Sequence, residues 1–388
     1  MSKQTIVLAD HRKDWSNLRP LTLTKPLAFL RIGILTIQEK WNFYFENSVK
    51  IKTTEQYLKS FNTFDPNEKG LIYINPSVLP NDVLVENIKK LSAGESLYSN
   101  GTLIASKIGN EDVVFEKAIQ YSHEIIKINF PWDLFTLNEK AIELDYKLIT
   151  KNRISAPISK TNTIIGSSEN IFLEKDAKIE ASILNTNGGF IYLAKNAEIM
   201  EGSVVRGSLA MCESATLKLS TKIYGATTIG PHSKVGGEVN NSLILGFSNK
   251  GHDGFLGNAV IGEWCNLGAD TNNSNLKNNY GEVKAYNYDK EDFIKTGKQF
   301  LGLIMGDHTK CGINTMFNTG TVAGVFANIF GGNFPPKYIP SYSWGGADGF
   351  TTYHFEKAME VAEAVMQRRN KKLNENQISI LKHLFENK

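Results

Sequence analysis

Between residues 197 and 238 an aliphatic side chain returns at every sixth position: Ile199, Val205, Met211, Leu217, Ile223, Ile229 and Val235. Four residues after each of the first six stand Ser203, Leu209, Ala215, Thr221, Thr227 and Ser233, most of them small. A period of six matches neither the helical 3.6 nor the strand period of 2. It suits a chain that turns a corner every six residues and brings one apolar side chain back inside each time, with small residues where the corner crowds the interior. Internal repeats of this kind define a solenoid before local propensity is considered. The ladder resumes at Ile261 and Leu267, with Cys265 and Thr271 four positions on. It resumes again at Met305, Cys311, Phe317, Ala323 and Ile329, with Thr309, Thr315, Thr321 and Ala327.

At 388 residues the chain has room for about two to three domains. A net charge of +3 is too small to imply nucleic acid or an anionic membrane as partner. No run approaches the ~20 apolar residues of a membrane span, and the N-terminus reads as a short strand followed by charge, not as a signal peptide. Cys212, Cys265 and Cys311 all fall on the repeat, two at inward positions, and read as buried apolar groups in a reducing, cytoplasmic setting.

Before the ladder, strand and helix patterns alternate. Residues 5–8 form a short strand, followed by a polar loop over residues 10–14. Ile34, Ile37, Trp41 and Phe45 share one helical face, and residues 71–74 form a buried strand. Asn81 caps a helix through Leu84, Ile88 and Leu91. Asn100-Gly101 marks a tight hairpin, and residues 132–148 are helical. This predicts an α/β, Rossmann-like domain over residues 1–150, a linker at 151–157, the coil over 158–333, and a capping extension over 334–388. The extension carries helices near residues 354–369 and 377–385 that cover the open end of the coil.

Two stretches leave the ladder, residues 241–260 and 272–304, and are expected as outer loops that carry the site. The first contains Asn249-Lys250-Gly251-His252-Asp253-Gly254-Phe255-Leu256-Gly257, with His252 between glycines. A histidine there is suited to take the proton from an amine as it attacks a thioester. A solvated loop histidine is the plain alternative. His308, on the later ladder, is the second candidate base and reads as structural or solvent-facing.

The six-residue repeat resembles the left-handed parallel β-helix of acyltransferases. Lys250-Gly251-His252, residues 256–262, Asn266-Leu267-Gly268-Ala269 and Thr271 resemble the catalytic loop of the bacterial bifunctional enzymes that acetylate glucosamine 1-phosphate and uridylylate the product. The likeness is closer to a variant branch, sugar nucleotidyltransferases with a fused β-helix. It extends there through Leu18-Arg19-Pro20-Leu21-Thr22-Leu23-Thr24-Lys25-Pro26, Leu30-Arg31-Ile32-Gly33-Ile34 and Glu39-Lys40-Trp41. The resemblance implies a nucleotidyltransferase-like N-terminal domain and an acetyl-coenzyme A site between coils. It implies His252 as general base, Asn275 holding substrate or thioester oxygen, and a homotrimer in which a neighbouring subunit completes the site. Lys250, Asn249 and Lys234 are the expected substrate contacts, with Lys277 a further compensating cation. Arg12, Arg19 and Lys25 are the expected nucleotide contacts.

The chain departs from that pattern at several positions. Phe255 replaces the family's loop tyrosine. Gly236 and Asn240 stand where an arginine and a lysine would grip the sugar phosphate, and each charge-assisted bond lost there is worth ~1.5–3 kcal/mol. Residues 10–14 replace the glycine-rich turn that cradles nucleotide phosphates. Asp10 and Asp14 are the available carboxylates for Mg²⁺ if nucleotidyl transfer operates. Three readings follow. The first is an enzyme of sugar-nucleotide synthesis, acting on a sugar 1-phosphate and a nucleoside triphosphate, on acetyl-coenzyme A and an amino-sugar phosphate, or on both sets. The second is a nucleotidyltransferase whose coil only trimerises and regulates. The third is a trimeric nucleotide-sugar-binding protein with a degenerate N-terminal domain.

Overall fold

The computed structural model describes residues 5–46, 48–65, 67–107 and 117–388. It divides into two compact units. The first runs to Leu18 and continues through Thr24–Leu30 and Leu35–Phe130. The second comprises Arg19–Leu23, Arg31–Ile34 and Pro131–Lys388.

The first unit is built on a six-stranded mixed sheet. Strand Ile6–Ala9, every residue of which is apolar, lies one in from the edge. It pairs in parallel with Val49–Lys52 on one side and Ile72–Ile74 on the other. A strand entered from both sides in this way is a switch point, and the crevice beyond its carboxyl end is where open α/β sheets bind ligands. Thr102–Lys107 adds antiparallel to Ile72–Ile74 and closes a hairpin with Glu95–Ser99. The turn is Asn100-Gly101, both at positive φ, as their sequence requires. Asn81 caps α3 (Asp82–Lys89) by accepting from the Leu84 amide at 2.9 Å. Two expectations shift. Residues 12–17 are already helical as α1 (Arg12–Asn17). Ile34 lies outside α2 (Ile37–Tyr44), which starts at a capping box between Thr36 and Glu39.

The second unit is a parallel β-solenoid with three faces. One face has nine strands from Ile171–Leu173 to Tyr338–Ile339, and the next has ten from Lys178–Ile179 to Gly349–Thr352. The third has six, ending at Phe255–Gly257, and resumes as the pair Asn272–Asn273 and Met316–Phe317. The sixfold ladder visits these faces in turn. Ile199 and Leu217 stack on the second, Val205 and Ile223 on the third, and Met211 and Ile229 on the first. All six are buried in one continuous core. Registers this regular leave only the inward side chain of each rung to be chosen, which is why the period reads so plainly.

Residues 241–260 are not an outer loop. They form a complete coil with strands Leu243–Gly246, Asn249–Lys250 and Phe255–Gly257. The ladder stops matching because this coil is short: Met211 pairs with Ile229, eighteen positions on, whereas Ile229 pairs with Ile244, only fifteen on. The second departure is a true insertion. The chain leaves the coil after Asn275 and returns at Leu301 and Gly302, whose amides donate to Asn275 O and Asn258 O at 2.9 Å each. The excursion carries the hairpin Lys284–Asn287 and Asp292–Lys295.

The helical stretch near residues 132–148 is two helices, α4 (Pro131–Thr136) and α5 (Asn138–Thr150), and both belong to the second unit rather than to a domain ending at 150. The reason is a buried polar junction. Asn138 Oδ1 accepts from the Gly33 amide at 2.8 Å, Asp145 Oδ2 from the Ile34 amide at 2.8 Å, and Asn138 Nδ2 donates to Ala226 O on the coil at 3.1 Å. Thr228 donates to Gly33 O at 2.9 Å. Gly33 sits at φ +71°, and a Cβ there would lie 2.5 Å from Asp145 Oδ2. The segment Arg31-Ile32-Gly33-Ile34 is therefore a docking motif for α5 and the coil. Residues 151–157 are not free either, since Ala156 and Ser155 bond to Leu173 on the first coil.

At the far end, α7 (Glu375–Glu386) covers the last rungs: Tyr342 donates to Leu381 O at 2.8 Å and its ring meets Phe385 edge-on. The preceding helix, α6 (Phe355–Gln367), does more than cap. It starts beside Tyr342 and runs back along the coil until Arg369 reaches Asn249.

Candidate active site

The second face of the solenoid presents an outward row next to its inward one. Lys234 pairs with Asn249, Asn249 with Asn266, and Asn266 with Lys310. This row floors a cavity of about 550 Å³ closed on one side by Val365, Arg368 and Arg369 at the end of α6. His252 and Gly251 form its rim at one corner of the coil, and Phe247 and Trp264 line it at the other. Five cations, Lys218, Lys234, Lys310, Arg368 and Arg369, face the cavity, and no carboxylate does. Burial pushes the Lys310 ammonium down to about 8, while it donates to His308 O at 2.9 Å. Such a concave, cationic groove recognises a polyanion such as a phosphorylated ligand.

The aromatic wall belongs to a longer stack. His232, Phe247, Trp264, His308, Phe326 and Tyr342 occupy the same corner of successive coils, each with positive φ. Neighbouring ring centroids are 4.3–6.3 Å apart and nearly parallel. His308 lies within this stack, 7% exposed, so of the two readings its repeat context allows, packing within the stack holds and a solvent-facing position does not.

His252 is exposed on the corner between strands Asn249–Lys250 and Phe255–Gly257. The corner is held by close backbone packing. A Cβ on Gly236 would lie 2.8 Å from Gly251 O, and one on Gly254 would lie 2.2 Å from Thr271 O. The Asp270 amide donates to Asp253 O at 3.1 Å. Gly236 is thus a close-approach glycine beneath the His252 loop, which accounts for the missing arginine.

Of the expected substrate contacts, Lys234 and Asn249 line the groove. Lys250 does not. It pairs with Val235 on the inward row, is 3% exposed, and its ammonium donates to Gly236 O at 2.9 Å and His252 O at 2.8 Å. A lysine whose neighbour faces out must face in, since strand side chains alternate. Lys277 is likewise engaged elsewhere, donating to Glu282 O. Asn275 Nδ2 donates to Asn258 Oδ1 at 2.8 Å, beyond the other end of strand Phe255–Gly257. His252 and Asn275 therefore stand at opposite ends of strand Phe255–Gly257 on the third face.

In the first unit, Asp10 follows the switch-point strand. It is buried, accepts from the Leu27 amide at 3.2 Å, and has no partner for Oδ2 among the described residues. Burial pushes its carboxyl up to about 7, against the smaller pull of that amide. Asp14 is held by Lys127 at 3.0 Å, Asn75 at 2.9 Å and Ser77 at 3.1 Å. Lys25 is 6% exposed, and Arg12 projects into solvent beside Glu55. Arg19 lies in the second unit, its guanidinium 5.3 Å above the Tyr288 ring of the inserted hairpin. The donors do not assemble a Mg²⁺ site: the Asp14 carboxylate already accepts from Lys127, Asn75 and Ser77, and the described residues contain no group of three His, Cys, Asp or Glu placed to hold a metal ion.

The cations Lys218, Lys310, Arg368 and Arg369 were not singled out from sequence. Lys310 was legible, since it precedes an inward anchor on the second face as Lys234 does. The arginines were not, because only the path of α6 brings them there.

Residues 6–154 match the family model described as sugar nucleotidyl transferase. A bifunctional sugar-1-phosphate nucleotidylyltransferase/acetyltransferase of Sulfurisphaera tokodaii is 27% identical over 218 residues, covering 56% of this chain and 47% of the relative, about half its length. The bifunctional protein GlmU of Methanococcus maripaludis is 24% identical, covering 80% of this chain and 89% of the relative. Among solved structures, the polysialic-acid-specific acetyltransferase NeuO is similar over 50% of this chain and 82% of its own, with 12% identity and a TM-score of 0.27. An Arabidopsis UDP-N-acetylglucosamine acyltransferase is similar over 55% and 80%, with 15% identity and a TM-score of 0.25.

Proposed function

We propose that the chain is a transferase of sugar-nucleotide synthesis whose solenoid moves an acetyl group from acetyl-coenzyme A to an amino-sugar phosphate. The observation that carries this reading is the union of an exposed histidine with five cations in one groove. His252 takes the proton from the acceptor amine as its nitrogen attacks the thioester carbonyl. The C–N bond forms, the C–S bond breaks, and the thiolate leaves to be protonated. The cations hold the phosphates of the two substrates, and the groove's floor orients the acyl chain. A base in this position contributes about 10²- to 10⁴-fold.

The relatives named for two activities support a nucleotide-sugar role for the first unit, at the crevice beyond strand Ile6–Ala9. Its donor set favours binding a sugar nucleotide there over metal-assisted nucleotidyl transfer, because residues 10–14 place side chains where phosphates would need bare backbone.

The separation of His252 from Asn275 supports a homotrimer, in which Asn275 of one copy meets His252 of another. The third face, with Ile165, Ile183, Val204 and Tyr224 exposed, is the self-associating surface in this reading. Scattering that gives a monomer's mass would oppose it.

The deciding assay follows thiol release from acetyl-coenzyme A with glucosamine 1-phosphate and other amino-sugar phosphates. Turnover lost in His252→Ala supports acyl transfer. No turnover with any acceptor, and no rise in melting temperature on adding acetyl-coenzyme A, sinks it.

A further inference from the structure

We propose that Lys250 is a positioning residue that staples the His252 loop from inside the coil; its catalytic consequence rests on the acyl-transfer reading above. The inward row of the second face runs Ile179, Ile199, Leu217, Val235, Lys250, Leu267, Cys311 and Ile329. Asn249 pairs with Asn266, which sets Lys250 beside Leu267. Every other member of the row is apolar or a thiol, and all belong to one packed core. A lysine in that row gives up hydration that a leucine would not need, a cost that burial of an ammonium always carries.

What it obtains is two carbonyl oxygens on successive coils. Gly236 O belongs to the corner of the preceding coil and His252 O to the loop itself, at 2.9 and 2.8 Å. The side chain therefore runs through the interior and clamps the histidine's own peptide to the coil beneath. No other side chain bonds to the backbone of residues 251–254 among the described residues; their remaining supports are the Asp270 amide on Asp253 O, the Glu238 amide on Gly254 O at 3.3 Å, and the packing of Gly236, Gly237 and Thr271. Asp253 and Asp270 are the acidic groups whose charges reach the ammonium, neither within bonding distance. The clamp survives loss of the ammonium proton, because a neutral amine keeps two N–H donors for two acceptors.

A role limited to packing and a role in positioning make opposite predictions for Lys250→Met and Lys250→Leu, the latter copying Leu217 and Leu267 of the same row. Positioning predicts faster amide hydrogen exchange at residues 251–254 with a melting temperature at pH 7 no lower than the parent's. It also predicts kcat for acyl transfer down about 10- to 100-fold, as a displacement near 1 Å produces, with KM for acetyl-coenzyme A unchanged. Unaltered exchange in both variants, or full kcat despite it, overturns the proposal. If the parent shows no acyl transfer, the exchange measurement still decides whether Lys250 holds the loop, and only the acyl-transfer reading falls.

Discussion

Arg369 Nη2 donates to Asn249 Oδ1 at 3.3 Å, across 120 positions of sequence. The bond ties the residue that follows α6 to the strand that delivers His252, so the groove has a wall only because the C-terminal extension folds back along the coil. Arg368 and Arg369 are thereby placed opposite Lys234 and Lys310.

That wall is testable. Arg369→Ala removes one charge-assisted contact to a phosphate, worth ~1.5–3 kcal/mol, and is expected to weaken acetyl-coenzyme A binding about 10- to 100-fold. Titration calorimetry at low and high salt should show a shallower salt dependence in the variant than in the parent. Equal affinities at both salts would place the phosphates elsewhere.

Restoring the family's arginine at position 236 is expected to fail. A Cβ there lies 2.8 Å from Gly251 O and 3.4 Å from the His252 amide, so Gly236→Arg displaces the loop before its guanidinium reaches any phosphate. Acyl-transfer kcat should fall, not rise, and acceptor KM should not improve.

Asp10 makes stability depend on pH in a known direction. Its carboxyl is raised from 3.8 to about 7 by burial, so the folded state binds the proton more tightly than the unfolded one. The stabilisation this provides is complete below about pH 4 and is lost as pH rises to about 7, at up to roughly 1.4 kcal/mol per unit. Asp10→Asn keeps an oxygen for the Leu27 amide and does not titrate. Melting curves of parent and variant should converge near pH 4 and separate towards pH 8, with the variant higher. Parallel curves would show that Asp10 is solvated.

The aromatic corner should be cooperative. Trp264 stacks on Phe247 at 4.3 Å and 8° and is 8% exposed. Trp264→Ala is expected to cost about 3 kcal/mol and to lower the solenoid's melting temperature, measured by near-ultraviolet circular dichroism. It should also loosen the groove's Phe247 wall, seen as raised KM for acetyl-coenzyme A.

Much of the fold was readable from residue order alone. One aliphatic residue per six fixes a three-faced coil because each inward position admits little else. Asn81 and Asn100-Gly101 announce a cap and a turn, and the first C-terminal helix is legible in the spacing of Phe355, Ala358, Ala362 and Val365. The reading failed where length, not pattern, changed. A coil three residues shorter looks like a break in the ladder, and residues 241–260 read from sequence as an outer loop for that reason. The same slip hid the orientation of Lys250, since its inward side depends on register with Val235.

The site divides along the same line. His252 was visible because glycines on both sides mark a corner, and Lys234 and Asn249 lie beside it on one rung. Which charges gather around that histidine depends on neighbours from 18 residues away (Lys234) to 117 (Arg369). Local sequence cannot encode that Arg19 stacks on Tyr288, that the Ile34 amide bonds Asp145, or that Arg369 meets Asn249. The period and the chemistry of the loop follow from sequence, because a repeating backbone leaves only one side chain per rung to choose. The groove, its cations and the inward lysine are properties of tertiary structure, because they arise where separate segments meet.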